Sequence, residues 1–287
     1  MLQLILGEAG TGKTTETLRR IRASAARQQP ALLLVPEHAS FEMERRVSAL
    51  FTAEEQRYVT LYSFPRLAEN IFRECGGLAL RPMDEVSRAL LMREAIAEVA
   101  DALTLYRRQA AYPGFVTAML QTVADFKRAG LMPQAVAELS RQTGGALGQK
   151  LRDMQLIFDA FQALVEQRFH DPLDELTLAL ARAEEKNWFA GRQVWVDSFD
   201  YFSVSERAML QHILLAADAL TISMTCPSLD AGEDIFLYQK KFLLRMRAYA
   251  AAHGCECGKP LILTEDKRHQ NVELAALQRA FTRPQTA

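Results

Sequence analysis

The chain opens on a short run of apolar, mostly branched residues, Leu2 to Leu6, that stops at Gly7. From Thr14 the spacing becomes helical, with charged residues Glu16, Arg19, Arg20 and Arg22. Ala31 to Val35 is a second buried strand that ends at Pro36, and Phe41 to Phe51 follows with helical spacing. Val59 to Tyr62 reads as a third strand, with Ser63 expected to cap the helix that carries Leu67, Ile71 and Phe72. Strands alternating with helices argue for a parallel sheet covered on both faces.

The texture changes after Gly76, Gly77 and Pro82. From about residue 83 to 185 the spacing is helical throughout, broken at Pro113-Gly114, between Gly130 and Pro133, at Gly144-Gly145 and at Asp171-Pro172. No strand is expected there, so residues 83–185 form an all-helical insertion. The strand–helix pattern resumes with Val194 to Val196, closed by Asp197, and with Ala219 to Met224; a helix from about Ser205 to Ala216 joins them. Further helices are expected at Ile235 to His253 and Asn271 to Phe281, with a strand at Leu261 to Leu263. Residues 1–82 and 186–287 thus read as one α/β domain interrupted by the insertion. The tail from Thr282 to Ala287 adds no capping or packing signal, which suggests a piece of something longer.

Composition narrows the class. The chain has 287 residues, 49% of them hydrophobic and 24% charged, which excludes dominant disorder. The net charge of −1 gives no global positive field, so any nucleic-acid binding is local. Four cysteines, Cys75, Cys226, Cys255 and Cys257, are too few and too scattered for a disulfide scaffold and suit a reducing cytoplasm. No apolar run approaches the ~20 residues of a membrane-spanning helix, and the first residues lack the features of a secretory signal.

The sharpest chemical signal lies between the first strand and the first helix. Gly7, Gly12, Lys13 and Thr14 match G-x-x-x-x-G-K-[ST] in full, with Glu8, Ala9, Gly10 and Thr11 between. Glycines there let successive N–H groups turn inward as an anion nest at the positive end of the following helix. The expected contacts to ATP are Gly7, Glu8, Ala9, Gly10, Thr11, Gly12, Lys13, Thr14 and Thr15, with Lys13 on the β- and γ-phosphates and the Thr14 hydroxyl on Mg²⁺. Asp197, closing a neighbouring strand, is the expected second holder of Mg²⁺. The next residue is Ser198, which has no basic group to prepare water at neutral pH; Asp200 or Glu206 would have to substitute.

Further segments carry a resemblance: Leu34 to Glu37 (LVPE), Tyr62 to Leu67 (YSFPRL), Glu74 to Gly77 (ECGG), Asp125 to Arg128 (DFKR) and Val196 to Phe199 (VDSF). With the Gly7 to Thr14 motif at the start, in this order and spacing, the chain resembles the AddB (RexB-like) subunits of bacterial AddAB-type helicase-nucleases over nearly its whole length. The resemblance implies a P-loop NTPase fold, RecA-like, equivalent to the first motor domain (1A) of superfamily 1 helicases, with a 1B-like helical insertion. It also implies an AddA-like partner subunit in a heterodimer, and DNA as substrate, as a single strand from a processed duplex end. The family's second motor-like domain and its iron-sulphur nuclease domain have no counterpart in these residues.

Three departures from active superfamily 1 motors bear on turnover. Only Met1 to Leu6 precede Gly7, where the adenine-reading glutamine motif would stand. The acidic pair is Asp197-Ser198, and the strand to Met224 runs into Thr225, Cys226 and Pro227 instead of a glutamine. A domain that binds nucleotide and hydrolyses it poorly is the expectation, with no nuclease activity of its own. Single-strand contacts are expected at His38, Ser63, Phe64 and Arg66, with Phe64 stacking on a base and Arg66 on a phosphate; the alternative for Phe64 is packing between sheet and helix. The competing reading of the whole is a stand-alone P-loop kinase or NTPase in which the insertion is a substrate lid.

Overall fold

The computed structural model describes residues 1–77, 81–171, 173–230, 235–268, 273, 274, 276, 277 and 280. Most of the helix expected over residues 271–281, and the tail after it, lie outside them. The chain divides into two compact units, one of Met1–Ile71, Ala183–Phe202 and Glu206–Ala287, the other of Phe72–Arg182 with Ser203–Ser205.

The first unit is built on β1 (Leu2–Gly7), α1 (Lys13–Ala25), β2 (Ala31–Leu34), α2 (Glu37–Leu50), α3 (Ala53–Gln56), β3 (Val59–Tyr62) and the start of α4 (Phe64–Cys75). The two-residue β4 (Arg81–Pro82), the helices α5 (Glu85–Val99), α6 (Pro113–Arg128), α7 (Pro133–Thr143) and α8 (Gly145–Arg168), the two-residue β5 (Phe169–His170) and α9 (Glu175–Lys186) follow. The chain then returns to the first unit with β6 (Gln193–Val196), α10 (Val204–Ala216), β7 (Ala219–Thr225), α11 (Leu237–Ala252) and β8 (Leu261–Leu263).

Six strands form one sheet in the order β3-β2-β6-β7-β1-β8, every pair parallel. Leu2 pairs with Leu220 and Gly7 with Thr225; Leu34 pairs with Val196. All carboxyl ends therefore share one edge, where ligand clefts of open parallel sheets form. β2 is buried at every position because helices cover both faces. On one face α1 buries Leu18 and Ile21, spaced for one helical stripe, against Leu33, Val35 and Trp195. Each such side chain stabilises the unit by roughly 1.5–3 kcal/mol relative to exposure.

Several local expectations are corrected. Ser63 does not cap α4: its hydroxyl is buried and has no hydrogen-bond partner among the described residues. α2 starts at Glu37, directly after Pro36, instead of at Phe41. The helical segment is not free of strand, since β4 and β5 pair in parallel; two residues are too few to display a period.

In the second unit Met92, Ala95, Val136, Ile157, Phe158 and Phe161 form a core from α5, α7 and α8. Asp153, fully buried on α8, accepts hydrogen bonds from the N–H groups of Thr104, Leu105 and Tyr106, which fixes the loop ahead of α6. Lys127, at the end of α6, is 2% exposed, and its Nζ donates to Asp171 and Asp174, each at 2.6 Å. Arg88 donates to the other Asp171 oxygen at 2.6 Å. Asp171 also accepts from the Leu173 N–H, the turn role its sequence setting suggests.

Candidate functional site

The turn from Gly7 to Thr14 leaves the carboxyl end of β1 and enters α1. Gly10 and Gly12 hold φ of 85° and 86°, a left-handed conformation that glycine adopts without a Cβ clash. Gly12 is the α1 N-cap and offers no side-chain cap, so the first N–H groups of the helix are left to an external acceptor at its positive pole. Anions are favoured at such a terminus.

Around it lies a cleft of ≈ 360 Å³ lined by Ala9, Gly10, Gly12, Lys13, Thr14 and Thr15 from the turn and helix, and by Asp197 to Asp200 and Ser223 to Thr225 from the ends of β6 and β7. Gly7, Glu8 and Thr11 form the turn's frame instead: the Glu8 carbonyl accepts the Thr11 hydroxyl at 2.9 Å and the Lys13 ammonium at 2.7 Å. Lys13 also donates to the Gly7 carbonyl at 3.2 Å. Burial pushes the Lys13 ammonium below the ordinary lysine value; Asp197 opposes the shift, Arg268 adds to it, and Glu8 opposes it.

Thr14 and Asp197 meet although 183 positions separate them. The Thr14 hydroxyl donates to Asp197 Oδ2 at 2.7 Å, and the Ser198 hydroxyl donates to the same oxygen at 3.0 Å. Asp197 is 1% exposed. Ser198 holds φ of 67°, an uncommon conformation for a residue with a side chain. A buried carboxylate facing a threonine hydroxyl beside a helix N-terminus is a donor set for a hard divalent cation such as Mg²⁺. Asp200 lines the cleft, whereas Glu206 sits in the first turn of α10.

Lys267 and Arg268 also line the cleft, and sequence reasoning missed them. Residues 264–268 run from β8 across the glycine turn, and the Lys267 N–H donates to the Gly10 carbonyl at 3.0 Å. A Cβ on Gly10 would lie 2.8 Å from Arg268 Cβ, and one on Gly7 2.5 Å from the Leu263 carbonyl oxygen. The glycines thus admit a covering strap as well as bending the turn. With Lys13 and Arg46, the strap brings four cationic side chains to a cleft whose carboxylates are Asp197 and Asp200. The available signal was the charged run from Glu265 to Arg268 directly after an apolar strand.

The residues expected to touch a nucleic-acid strand separate into two kinds. Ser63 and Phe64 are buried, at 1% and 3% exposure, and the Phe64 ring packs 5.4 Å from Phe199 and 6.4 Å from Phe202. His38 and Arg66 are exposed, Arg66 donating to Glu44 at 2.9 Å. Among the described residues no group of three or more His, Cys, Asp or Glu side chains is placed to hold a metal, and no helix is long and apolar enough to cross a membrane.

Among known protein families, the one described as "ADDB, N-terminal" matches residues 4–278. The chain is 34% identical over 232 residues to the B subunit of the ATP-dependent helicase/deoxyribonuclease of Moorella thermoacetica, covering 78% of this chain and 20% of that protein. The protein of the same name from Symbiobacterium thermophilum is 30% identical over 301 residues (98% and 26%), and that of Caldanaerobacter subterraneus subsp. tengcongensis 28% over 289 residues (98% and 25%). The chain spans a fifth to a quarter of the length of these relatives.

Proposed function

We propose that this chain, which belongs to the ADDB N-terminal family, is the ATP-binding, motor-like region of the AddB-type subunit of a helicase-nuclease that processes DNA ends. The observation that carries the proposal is the Thr14–Asp197 hydrogen bond, which joins the start of α1 to the end of β6. β7 lies between β1 and β6, so the two groups reach one cleft from strands that are not neighbours. That arrangement supports a RecA-like P-loop fold, with residues 1–82 and 186–287 as the motor-like domain and 83–185 as its insertion.

In this reading the N–H groups from Ala9 to Thr15 cradle the phosphates, and Lys13 exchanges the Gly7 and Glu8 carbonyls for phosphate oxygens. Thr14 and Asp197 would hold Mg²⁺, which neutralises phosphate charge when bound. Lys267 and Arg268 close over the phosphates from the strap. Ser198 fills the position after Asp197 with a hydroxyl that donates to it, so no carboxylate there prepares water, and Asp200 is the remaining candidate. The chain therefore retains ATP and turns it over slowly. It docks on a partner helicase-nuclease subunit in the cytoplasm and contacts one DNA strand, with His38 and Arg66 as the exposed groups. Phe64 would reach a base only by leaving its contacts with Phe199 and Phe202.

Isothermal titration with Mg·ATP, paired with a turnover assay with and without single-stranded DNA, tests the proposal. Saturable binding with little hydrolysis is expected; absence of binding, or brisk DNA-stimulated hydrolysis by this chain alone, would overturn it. Lys13 adds a pH dependence. Burial lowers its pKa in the free protein, so the cation that meets the phosphates is lost at lower pH than on an exposed lysine. Mg·ATP affinity should weaken on the alkaline side before an ordinary lysine deprotonates, and a flat profile up to about pH 10 would contradict the role.

A further inference from the structure

We propose that the foot of α1 forms a second anion site, selective for a phosphate group, on the sheet edge opposite the glycine turn. A separate cavity of ≈ 380 Å³ opens there, between the second half of α1 and the amino-terminal ends of β1, β6 and β7. Arg19, Arg20 and Arg27 line it, and its lining contains no carboxylate side chain. Glu16 engages Arg19 through both Nε and Nη2 but takes only the Nε of Arg20, at 2.7 Å. Among the described residues this leaves the Nη groups of Arg20 available while Glu16 fixes the side chain's direction.

The sheet contributes Trp195 to the same cavity. Trp195 is 7% exposed, and its Nε1 has no hydrogen-bond partner among the described residues. An indole nitrogen can only donate, so it is satisfied only by an acceptor. Trp195 pairs in register with Thr221, which also lines the cavity. Donors thus come from two directions, guanidinium groups from the helix and an indole from the sheet. A tetrahedral oxyanion meets donors in both directions, where a planar carboxylate does not, and guanidinium groups favour phosphate through paired hydrogen bonds. The site does not depend on the nucleotide reading: none of these side chains lines the glycine-turn cleft.

The chain has two tryptophans, so Trp188→Phe leaves Trp195 as the sole indole reporter, and Lys13→Ala silences the glycine turn. In that background of the full 287-residue chain, inorganic phosphate at constant ionic strength should change Trp195 emission saturably. Arg20→Ala with Arg27→Ala should weaken the response at least about tenfold. The corresponding Lys pair, which keeps charge without paired donors, should restore part of it, and circular dichroism verifies folding. A 5′-phosphorylated oligonucleotide compared with its 5′-hydroxyl form identifies the source: stronger binding of the phosphorylated strand assigns the site to nucleic acid, and phosphate binding alone assigns it to a free anion. A response that never saturates, persists in the Arg-to-Ala pair, or is matched by acetate overturns the site.

Discussion

Replacing Lys13 by alanine is expected to weaken Mg·ATP binding by about 100-fold or more, measured by titration calorimetry against the unsubstituted chain. Hydrogen bonds to a charged partner are worth about 1.5–3 kcal/mol each, and Lys13 can offer more than one to the phosphates. The loss is partly offset because the ammonium already bonds the Gly7 and Glu8 carbonyls, contacts it must surrender on binding. The strap provides the comparison. Arg268→Ala removes a cation held at the cleft by a different segment, and its effect should be smaller, on the order of tenfold. Equal affinity of the Lys13→Ala chain and the original would remove the phosphate role from the glycine turn.

The largest effect on stability is expected at Asp171, in the helical unit. Asp171→Ala leaves the Lys127 ammonium, 2% exposed, with Asp174 alone, and deprives Arg88 of its partner. Breaking a buried pair from one side costs about 3–5 kcal/mol, because the remaining charge stays desolvated. A fall in the melting transition on the order of 10 °C or more follows, read by thermal denaturation. Combining it with Lys127→Met should recover much of that fall, since an apolar side chain then fills the buried space while Arg88 and Asp174, 25% and 20% exposed, reach water. A double variant no better than Asp171→Ala would mean that hydrogen bonding at the turn before α9, not the buried charge, governs the effect.

The sheet strands were legible because a strand covered on both faces is a nearly continuous apolar run: β2 as Ala31 to Val35, β6 as Val194 to Val196, β7 as Ala219 to Met224. Short elements were not. α3 has four residues held by a capping box between Thr52 and Glu55, and β4 and β5 have two each. Pattern arguments need more residues than these to distinguish a period. At the site, the glycine turn and Asp197 were readable from residue type and place, each following a strand. Lys267 and Arg268 were hidden by distance, since only the pairing of β8 with β1 lays residues 264–268 on the turn. The Phe64 environment was hidden for the same reason: Phe199 and Phe202, its ring neighbours, lie more than a hundred positions away.

The placement of β1 also sets an order of events during synthesis. β1 leaves the ribosome first, yet both of its neighbours, β7 and β8, come from the far part of the chain. Leu2 must wait for Leu220 before its backbone is paired. The helical unit, nearly contiguous from Phe72 to Arg182, can collapse meanwhile on local contacts, which form fastest. A nascent chain stalled before β7 should then carry a protease-resistant helical unit and an unpaired, apolar first strand. That strand is the segment on which chaperones or aggregation would act until the sheet closes.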